Sequence, residues 1–187
     1  MKQKTLVFRT GLTGLLCGIL LMSVIRCNLS EEKYSDELFY SDIAWGIMKG
    51  LSDIWNQYIA GTPVGSIDIN AEGPFGGTVH ITGTTSYSQS NGIETVHLEY
   101  EMSDCRISST SSTGDLNVDL TLNGVISEDG SFSSTYTSLS YKSEALRIDG
   151  TAKRGTRERE VHGTTSFKAN RTSSGISAEL FGFKVYW

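Results

Sequence analysis

Apolar and polar residues alternate on both sides of the dipeptide Asn91-Gly92. Alternation with a period of two is typical of strands with one buried face, and this dipeptide favours a two-residue turn with positive φ. We therefore predict a β-hairpin in which Ser90 faces Ile93. The cross-strand pairs in this register are Tyr87 with Val96, Thr85 with Leu98, Gly83 with Tyr100 and Ile81 with Met102. All of these pairs fall on the same face, and a slip of one residue would destroy that match.

The inner face of this hairpin is moderately apolar and includes two small residues, Gly83 and Thr85. Its larger members are Val79, Ile81, Tyr87, Val96, Leu98, Tyr100 and Met102. A glycine inside a strand commonly marks the close approach of another part of the backbone. We expect a helix of the same chain to make that approach at Gly83.

Segments with the same period lie on both sides of the hairpin. One strand is predicted through Ile67 and Ile69, and a second, with regular alternation, runs from Leu116 to Ile126. For the polar segment Glu128-Asp129-Gly130 we predict a three-residue loop. That loop places Phe132 on the apolar face of the strand before it, which a two-residue turn would not do.

The C-terminal part of the chain continues the alternation. Its predicted turns are Lys142-Ser143-Glu144, the charged segment 153–160 and the segment 171–175. The last strand is predicted from Ile176 to Trp187, with a bulge or bend beside Gly182, where the parity of the apolar residues shifts. The predicted fold class is mainly β, an antiparallel meander of about eight strands that is barrel-like or a sandwich.

Before the sheet, the apolar period changes from two to about 3.6. The apolar stripe consists of Ile43, Ile47, Leu51, Ile54 and Tyr58. Asp42 in the first turn and Gly61 beyond the last turn complete the pattern of a helix over residues 41–60. The opposite face lacks the Lys and Arg enrichment of helices that lie on membranes. We expect this amphipathic helix to pack on its own sheet.

The N-terminal segment has the pattern of an export signal. Lys2, Lys4 and Arg9 form a basic region, and an apolar run from Leu12 to Ile25 follows it. Because this run is shorter than the roughly 20 residues of a membrane-spanning helix, we predict a cleaved signal peptide instead of an anchor. The predicted segments are a signal peptide over 1–26, a polar tether over 27–40 and a single β-rich domain over 41–187.

Cys27 follows the apolar run at the point where a bacterial lipoprotein carries its acylated cysteine, and it is our candidate lipidation site. The stretch 23–27 resembles a lipobox, with Arg26 where such a signal usually has a small residue. If Cys27 is acylated, Cys105 is a lone thiol. If it is not, a disulfide between Cys27 and Cys105 can form in an oxidising compartment.

Two glycine-containing strands carry a resemblance to known proteins. They are Gly76-Gly77-Thr78-Val79-His80-Ile81-Thr82-Gly83 and Leu122-Asn123-Gly124-Val125-Ile126. Together with the signal peptide and the short amphipathic helix, they make the chain resemble uncharacterised exported bacterial β-rich proteins and lipoproteins. The resemblance covers most of the domain, and it implies a location and an architecture without implying an activity.

Charge and composition narrow the range of partners. The chain has 187 residues and a net charge of −5, whereas a nucleic-acid partner would require a concentrated basic surface. The basic run Lys153, Arg154, Arg157 and Arg159 is interleaved with glutamates, so we predict a solvated surface there. We therefore expect no nucleic-acid partner.

Residues with catalytic or metal-binding chemistry are few. His80 and His97 lie on the polar face of the predicted hairpin, too far apart to be cross-strand neighbours, and His162 lies beside a charged turn. Glu99 and Glu101 share that polar face, where a solvated role is the common one. The sequence Gly-x-Ser-x-Gly and the phosphate- and dinucleotide-binding fingerprints do not occur. We predict no catalytic, cofactor-binding or metal-binding residues.

These patterns predict an exported cell-envelope or secreted protein that is not an enzyme, and a lipoprotein if Cys27 carries a lipid anchor in the membrane. Its β domain would be structural or would bind a ligand or an envelope component, in the bacterial outer membrane or periplasm or outside the cell. The first alternative is an integral outer-membrane β-barrel of about eight strands, since Phe181, Phe183, Val185 and Trp187 alternate as in the last strand of such barrels. The second alternative is a periplasmic hydrolase.

Overall fold

The predicted helix is the first element of the structure, a computed structural model that describes residues 36–187. Helix α1 is α-helical over residues 36–54 and ends in a π-helical turn, Trp55–Ile59. It includes residues 36–40, which the sequence assigns to the tether, because Phe39 extends the apolar stripe by one turn and is buried. The predicted signal peptide and the rest of the tether lie outside the described residues. Within the described part, no helix has the length and apolar character needed to cross a membrane.

Eight strands follow α1 and form one antiparallel sheet in chain order. They are β1 (Gly65–Glu72), β2 (Thr78–Ser88), β3 (Ile93–Thr110), β4 (Leu116–Phe132), β5 (Thr137–Arg154), β6 (Arg157–Thr172), β7 (Gly175–Leu180) and β8 (Phe183–Tyr186). The predicted fold class, a mainly β meander preceded by one helix that packs on it, is confirmed. The sheet is not closed, since in the part of the chain that the structure describes β1 and β8 each pair with one strand only.

The β2–β3 hairpin keeps the predicted faces but not the predicted register. Ile93 pairs with Ser88 instead of Ser90. The turn occupies residues 89–92, and it is longer than predicted because the Asn91 side chain accepts the Ile93 N–H at 3.2 Å. The register therefore shifts by two residues. Because two residues are one full period of a strand, the side chains stay on their predicted faces.

Two predicted turns are wrong. Glu128-Asp129-Gly130 belongs to β4, which continues to Phe132, and the chain turns at residues 133–136 instead. Lys142-Ser143-Glu144 belongs to β5, where the pairing with β6 has a bulge before Leu146. Polar residues mark turns in many sequences, but here they occupy strand positions. Glu128 and Asp129 have side-chain partners on neighbouring strands, Tyr141 and His97, and Lys142 pairs with Glu144 of its own strand.

The predicted bulge beside Gly182 is a two-residue turn that separates β7 from β8. Phe181 and Gly182 have φ values of +48° and +80°, as in a type I′ hairpin turn. Such a φ is uncommon for an aromatic residue. Phe181 is held there because its N–H donates to Thr165 Oγ1 at 2.8 Å and its ring packs against Tyr40. The turn predicted at Lys142-Ser143-Glu144 is absent, and the turn at Phe181-Gly182 is an additional one. The number of strands therefore stays at eight.

A bulge in β3 changes which residues face the helix. Even-numbered residues are buried up to Met102, and odd-numbered residues are buried from Cys105 onward. Asp104, inside the bulge, has a φ of +49°. Its N–H donates to Asn123 Oδ1 at 2.8 Å, and Asn123 Nδ2 donates back to Asp104 Oδ1 at 3.1 Å. The amide of Asn123 thus holds the extra residue in place.

Helix α1 covers the inner face of the sheet, as predicted. Its fully buried residues are Ile43, Ala44, Ile47 and Ile54. The helix lies very close to the sheet at two glycines: a Cβ atom on Gly46 would be 2.5 Å from Val118 Cγ1, and one on Gly50 would be 2.6 Å from Ile107 Cγ2. Only a residue without a side chain fits at these two points.

The close approach predicted at Gly83 is made by a strand and not by the helix. A Cβ atom on Gly83 would lie 2.0 Å from the carbonyl oxygen of His97 on β3. The glycines that admit the helix are therefore its own, Gly46 and Gly50. Tyr87, which the sequence assigns to the buried face, is 53 % exposed near the end of β2.

The basic run predicted as a solvated surface fastens the first half of α1 to the sheet. Arg154 Nε donates to Asp42 Oδ2 at 3.0 Å, and a second nitrogen of the same guanidinium bonds to Oδ1. The guanidinium of Arg159 lies 4.3 Å from the centre of the Phe39 ring, a cation–π arrangement. Both arginines lie beside the β5–β6 turn, which carries them to the start of the helix.

The C-terminal aromatic residues face the same helix. The rings of Tyr40 and Phe183 are stacked with their centres 4.3 Å apart, and Val185 is buried. The alternation of apolar residues in this part of the chain therefore belongs to the covered face of the sheet.

Candidate functional site

Two of the three histidines lie beside carboxylates on the outer face of the sheet, and His80 has a second carboxylate, Glu101, 3.9 Å away. His80 Nε2 is 2.8 Å from Asp68 Oδ1, and His97 Nδ1 is 2.8 Å from Asp129 Oδ1. His80 is opposite Glu101 in the observed register, so the two histidines are not neighbours. Among the described residues, no group of three or more His, Cys, Asp or Glu side chains could hold a metal ion.

The third histidine, His162, belongs to a separate exposed cluster. Its ring nitrogens lie 3.2 Å from Asp149 Oδ1 and 3.4 Å from Glu160 Oε2, and hydrogen bonds to these carboxylates raise its pKa. Arg147 also donates to Asp149, and this hydrogen bond is the main reason why the pKa of that carboxyl is lowered. Exposed pairs of this kind contribute little to stability. These residues lie on the exposed surface and do not enclose a cavity.

A cavity of about 330 Å³ lies on the opposite side of the sheet, between the last turns of α1 and strands β4, β5 and β6. Its apolar walls are Met48, Leu51, Trp55, Phe132 and Leu139. Its polar lining residues are Ser52, Asn56, Glu128, Thr137, Tyr141 and Arg171. The volume falls within the range of roughly 300–1,000 Å³ that is usual for small-molecule sites.

The cavity contains a buried carboxylate, Glu128, which is only 4 % exposed. The Tyr100 hydroxyl donates to its Oε2 at 2.5 Å, and the Tyr141 hydroxyl donates to its Oε1 at 2.8 Å. The three residues come from β3, β4 and β5, and Tyr141 is directly opposite Glu128 in the register. Both carboxylate oxygens therefore have a hydrogen-bond partner, which a buried carboxylate requires.

The electrostatics of this cluster are dominated by burial. Burial raises the pKa of Glu128, whereas the hydrogen bonds from Tyr100 and Tyr141 and the charge of Arg171 act in the opposite direction. Burial, followed by the neighbouring Glu128 charge, raises the pKa of both tyrosines far above its ordinary value. Both hydroxyls therefore keep their protons at neutral pH and act as donors to the carboxylate.

Arg171 lies at the rim of the cavity. In β6 it continues the series of inner-facing residues Phe167 and Ala169, but unlike them it is exposed. It is opposite Leu139 in the register, and its guanidinium interacts with Tyr141. The cavity thus combines a buried carboxylate in its interior with an exposed cation at its mouth.

The π-helical turn of α1 shapes the wall that faces Glu128. Trp55 begins this turn, and its ring meets the Phe132 ring edge-on with the centres 5.8 Å apart. The Tyr58 hydroxyl, in the same turn, donates to the carbonyl of Glu72 on β1 at 2.9 Å. Single π-helical turns are frequent at functional sites. Here the turn fixes an aromatic wall of the cavity.

Glu128 is not among the predicted site residues, because the sequence pattern assigns it to a loop. A signal was present: Glu128 has the same parity as the apolar residues from Leu116 to Ile126, so one more step of alternation places it on the buried face. Tyr100 was correctly assigned to that face. Nothing in the spacing of the chain, however, indicates that Tyr100 and Tyr141 meet at one carboxylate.

The candidate lipidation residue, Cys27, lies outside the described residues. Cys105 is a buried free thiol, and burial raises its pKa to about 11. A thiol with such a pKa is protonated at neutral pH and reacts slowly. Because Cys27 lies outside the described residues, its lipidation stays a prediction.

Comparisons with protein-family models, with curated proteins and with solved structures find no match to this chain. Its function must therefore be inferred from its own residues. Among those that the structure describes, the cavity around Glu128 offers the most specific chemistry.

Proposed function

We propose that the β domain is a non-enzymatic binding module that holds a small amphiphilic molecule in the cavity beside the end of α1. The observation that carries this proposal is the buried carboxylate of Glu128, which faces a cavity whose lining combines apolar and polar side chains. Apolar walls with a few convergent polar groups and a perturbed pKa are typical of ligand sites.

The energetic cost of burying Glu128 favours binding over a purely structural role. A buried ionic group is often no more stabilising than apolar side chains of the same volume. Glu128 accepts hydrogen bonds from two neutral hydroxyls and borders open space that better apolar packing would fill. Contact with a ligand in that space explains why a carboxylate is buried there, which a contribution to stability alone does not explain.

The same contacts favour binding over catalysis. Both oxygens of Glu128 already accept hydrogen bonds, which lowers their nucleophilicity. The raised pKa of Tyr100 and Tyr141 keeps both hydroxyls protonated, so neither is available as a base at neutral pH. A hydrolase needs an activated nucleophile or a base poised near neutral pH. The cluster suits recognition of a molecule better than its conversion.

Tryptophan fluorescence provides the test. Changing Trp45 and Trp187 to Phe leaves Trp55, in the cavity wall, as the single tryptophan of the described domain. We expect alkyl chains of about six carbons with a polar head to shift the Trp55 emission in a saturable manner. Ser52→Phe, which fills the cavity from the partly exposed side of α1, should abolish the shift, and Ser52→Ala is the matched control. Equal binding by both variants would contradict the proposal.

We further propose that this module is exported and is held in the bacterial cell envelope by a lipid on Cys27. The basic region and apolar run before Cys27 support export. The outer face of the sheet supports an aqueous setting, because it carries exposed ion pairs such as Arg106–Asp119 at 2.6 Å and Arg147–Asp149 at 2.7 Å. An outer-membrane barrel would carry an apolar band on its outward positions.

The intact mass of the mature protein tests this second proposal. Signal-peptide cleavage before Cys27 with acylation predicts the mass of residues 27–187 plus the acyl chains. Cys27→Ser should remove the acyl mass and release the protein from membranes. A mature protein that retains residues 1–26, or one cleaved there without added mass, would refute lipidation.

A further inference from the structure

We infer that the ligand of this cavity carries a cationic amine head that binds against Glu128, with its apolar body against Trp55 and Phe132. This inference rests on the proposed binding function and specifies its ligand class. Three observations support it: the hydrogen-bond inventory of the cavity interior, the aromatic walls and the position of Arg171.

The hydrogen-bond inventory of the interior calls for a donor. Tyr100 and Tyr141 each use their only hydroxyl proton on Glu128. The Tyr141 oxygen already accepts from the Arg171 guanidinium. What remains are the spare lone pairs of the carboxylate and of the Tyr100 oxygen, all of which are acceptors. A carboxylate or phosphate head would bring further acceptors to this interior. An ammonium group brings donors and also a positive charge opposite the carboxylate.

The walls beside this interior are aromatic. Trp55, Phe132 and Tyr141 all line the cavity, and the Trp55 and Phe132 rings are already in edge contact. Aromatic faces attract cations, with Trp the strongest of the three side chains. The same rings also provide the apolar surface for an alkyl or aryl body.

Arg171 is the one cation of the lining and would oppose a second positive charge. It is exposed at the rim, however, where water screens its charge, whereas Glu128 is 4 % exposed. A head group in contact with Glu128 therefore interacts more strongly with the carboxylate than with the guanidinium. Arg171 reduces the preference for amines without reversing it.

The volume limits the size of the ligand. A cavity of about 330 Å³ is near the lower end of the range of roughly 300–1,000 Å³ that is usual for small-molecule sites. A monoamine with a short alkyl or aryl body fits this volume, whereas a complete membrane lipid does not.

The experiment compares three probes with one body and different heads: hexylamine, hexanol and hexanoate. Binding is measured at pH 7 by Trp55 fluorescence in the variant that lacks Trp45 and Trp187. We expect hexylamine to bind at least about tenfold more tightly than hexanol, and hexanoate to bind most weakly. Glu128→Gln, which keeps the shape but removes the charge, should weaken hexylamine about tenfold and leave hexanol unchanged.

A second variant keeps the test decisive if Glu128→Gln does not fold. Arg171→Met removes an exposed charge at the rim, and it should tighten hexylamine and weaken hexanoate further. Tightest binding of hexanoate, with loss of that binding in Arg171→Met, would overturn the amine assignment while leaving the cavity as a binding site. Equal binding of hexylamine and hexanol would overturn it as well. Absence of binding by all three probes would overturn the cavity proposal itself.

Discussion

The interface between α1 and the sheet contains two buried carboxylates, Asp42 on the helix and Glu128 on β4, and their surroundings differ. Asp42 and Glu128 are both 4 % exposed. Asp42 is bound by both ends of the Arg154 guanidinium, whereas Glu128 is bound by the hydroxyls of Tyr100 and Tyr141. The first carboxylate is paired with a cation of the protein. The second has only neutral hydroxyls as hydrogen-bond donors and lies beside a cavity.

This difference separates a structural contact from a candidate site. A guanidinium that donates to both oxygens fixes the start of the helix on the sheet and leaves no capacity for a ligand there. Neutral donors satisfy the geometry of the other carboxylate without cancelling its charge. The two halves of the same helix interface thus differ: the start is attached to the sheet, and the end borders the cavity that we propose as a binding site.

Ile47→Asp should have the largest effect on this interface. Ile47 is fully buried between the two carboxylates, and an unpaired charge there would cost several kcal/mol, against a typical stability of about 5–15 kcal/mol. We expect the domain to unfold or to lose its cooperative thermal transition in circular dichroism. Lys49→Ala, on the exposed face of α1, is the control. A melting temperature unchanged by Ile47→Asp would refute the packing of the helix on the sheet.

Arg154→Ala should be the next most damaging change. It leaves Asp42 buried and without its guanidinium, which we expect to reduce the free energy of unfolding by about 2–3 kcal/mol. Asp42→Ala should cost less, about 1 kcal/mol, because the Arg154 side chain is 39 % exposed and is solvated when its partner is lost. Urea denaturation of both variants measures the order. An Asp42→Ala variant less stable than Arg154→Ala would show that the arginine is not there to compensate a buried charge.

Glu128→Gln should change stability in a pH-dependent way. Because burial raises the pKa of Glu128, the folded protein holds this proton at pH values where the unfolded chain has released it. Folding therefore becomes less favourable as pH rises from the ordinary glutamate value of about 4.3 to the raised value. Wild-type stability relative to Glu128→Gln should fall across that window in urea denaturation from pH 4 to pH 7. A constant difference would show that the carboxylate titrates normally.

His162→Gln should have the smallest effect, with a pH dependence in the same direction but in a higher pH window. Hydrogen bonds to Asp149 and Glu160 raise the pKa of His162, so its stabilising contribution is complete below the ordinary histidine value of about 6.5 and is lost as pH rises through the raised value. Since the side chain is exposed, the change in melting temperature should be barely detectable. Nuclear magnetic resonance titration of the His162 ring should show the raised pKa, and Asp149→Asn should lower it.

The sequence predicts the faces of the elements better than their ends. Burial sets the helical stripe through Ile43 and Ile47 and the alternation through Leu98 and Tyr100. The apolar or polar type of each residue reflects that burial directly. The register of the β2–β3 hairpin depends on how the Asn91 side chain bonds the turn, and this geometry has no periodic signal. The hairpin therefore has the predicted faces in a register shifted by two residues.

The candidate site was harder to predict because its polar residues resemble surface residues in the sequence. Glu128 follows a run of apolar residues and precedes an Asp-Gly pair, which is typical of a turn. Arg154 belongs to a charged segment, yet its partner Asp42 lies far away along the chain. Burial of such residues is decided by long-range partners. No local pattern identifies them.

The bulge in β3 has a consequence for the length of this chain. The Ser103–Asp104 step is where buried residues change from even to odd numbers, so β3 contains one residue more than regular alternation needs. Removal of one residue at this step would restore uninterrupted alternation through β3 and keep every apolar side chain on its present face. One residue lost from the middle of a strand without a bulge would turn half of its apolar side chains toward water. The sheet therefore tolerates a change of length best at this step and at the equivalent bulge of β5, between Ser143 and Leu146.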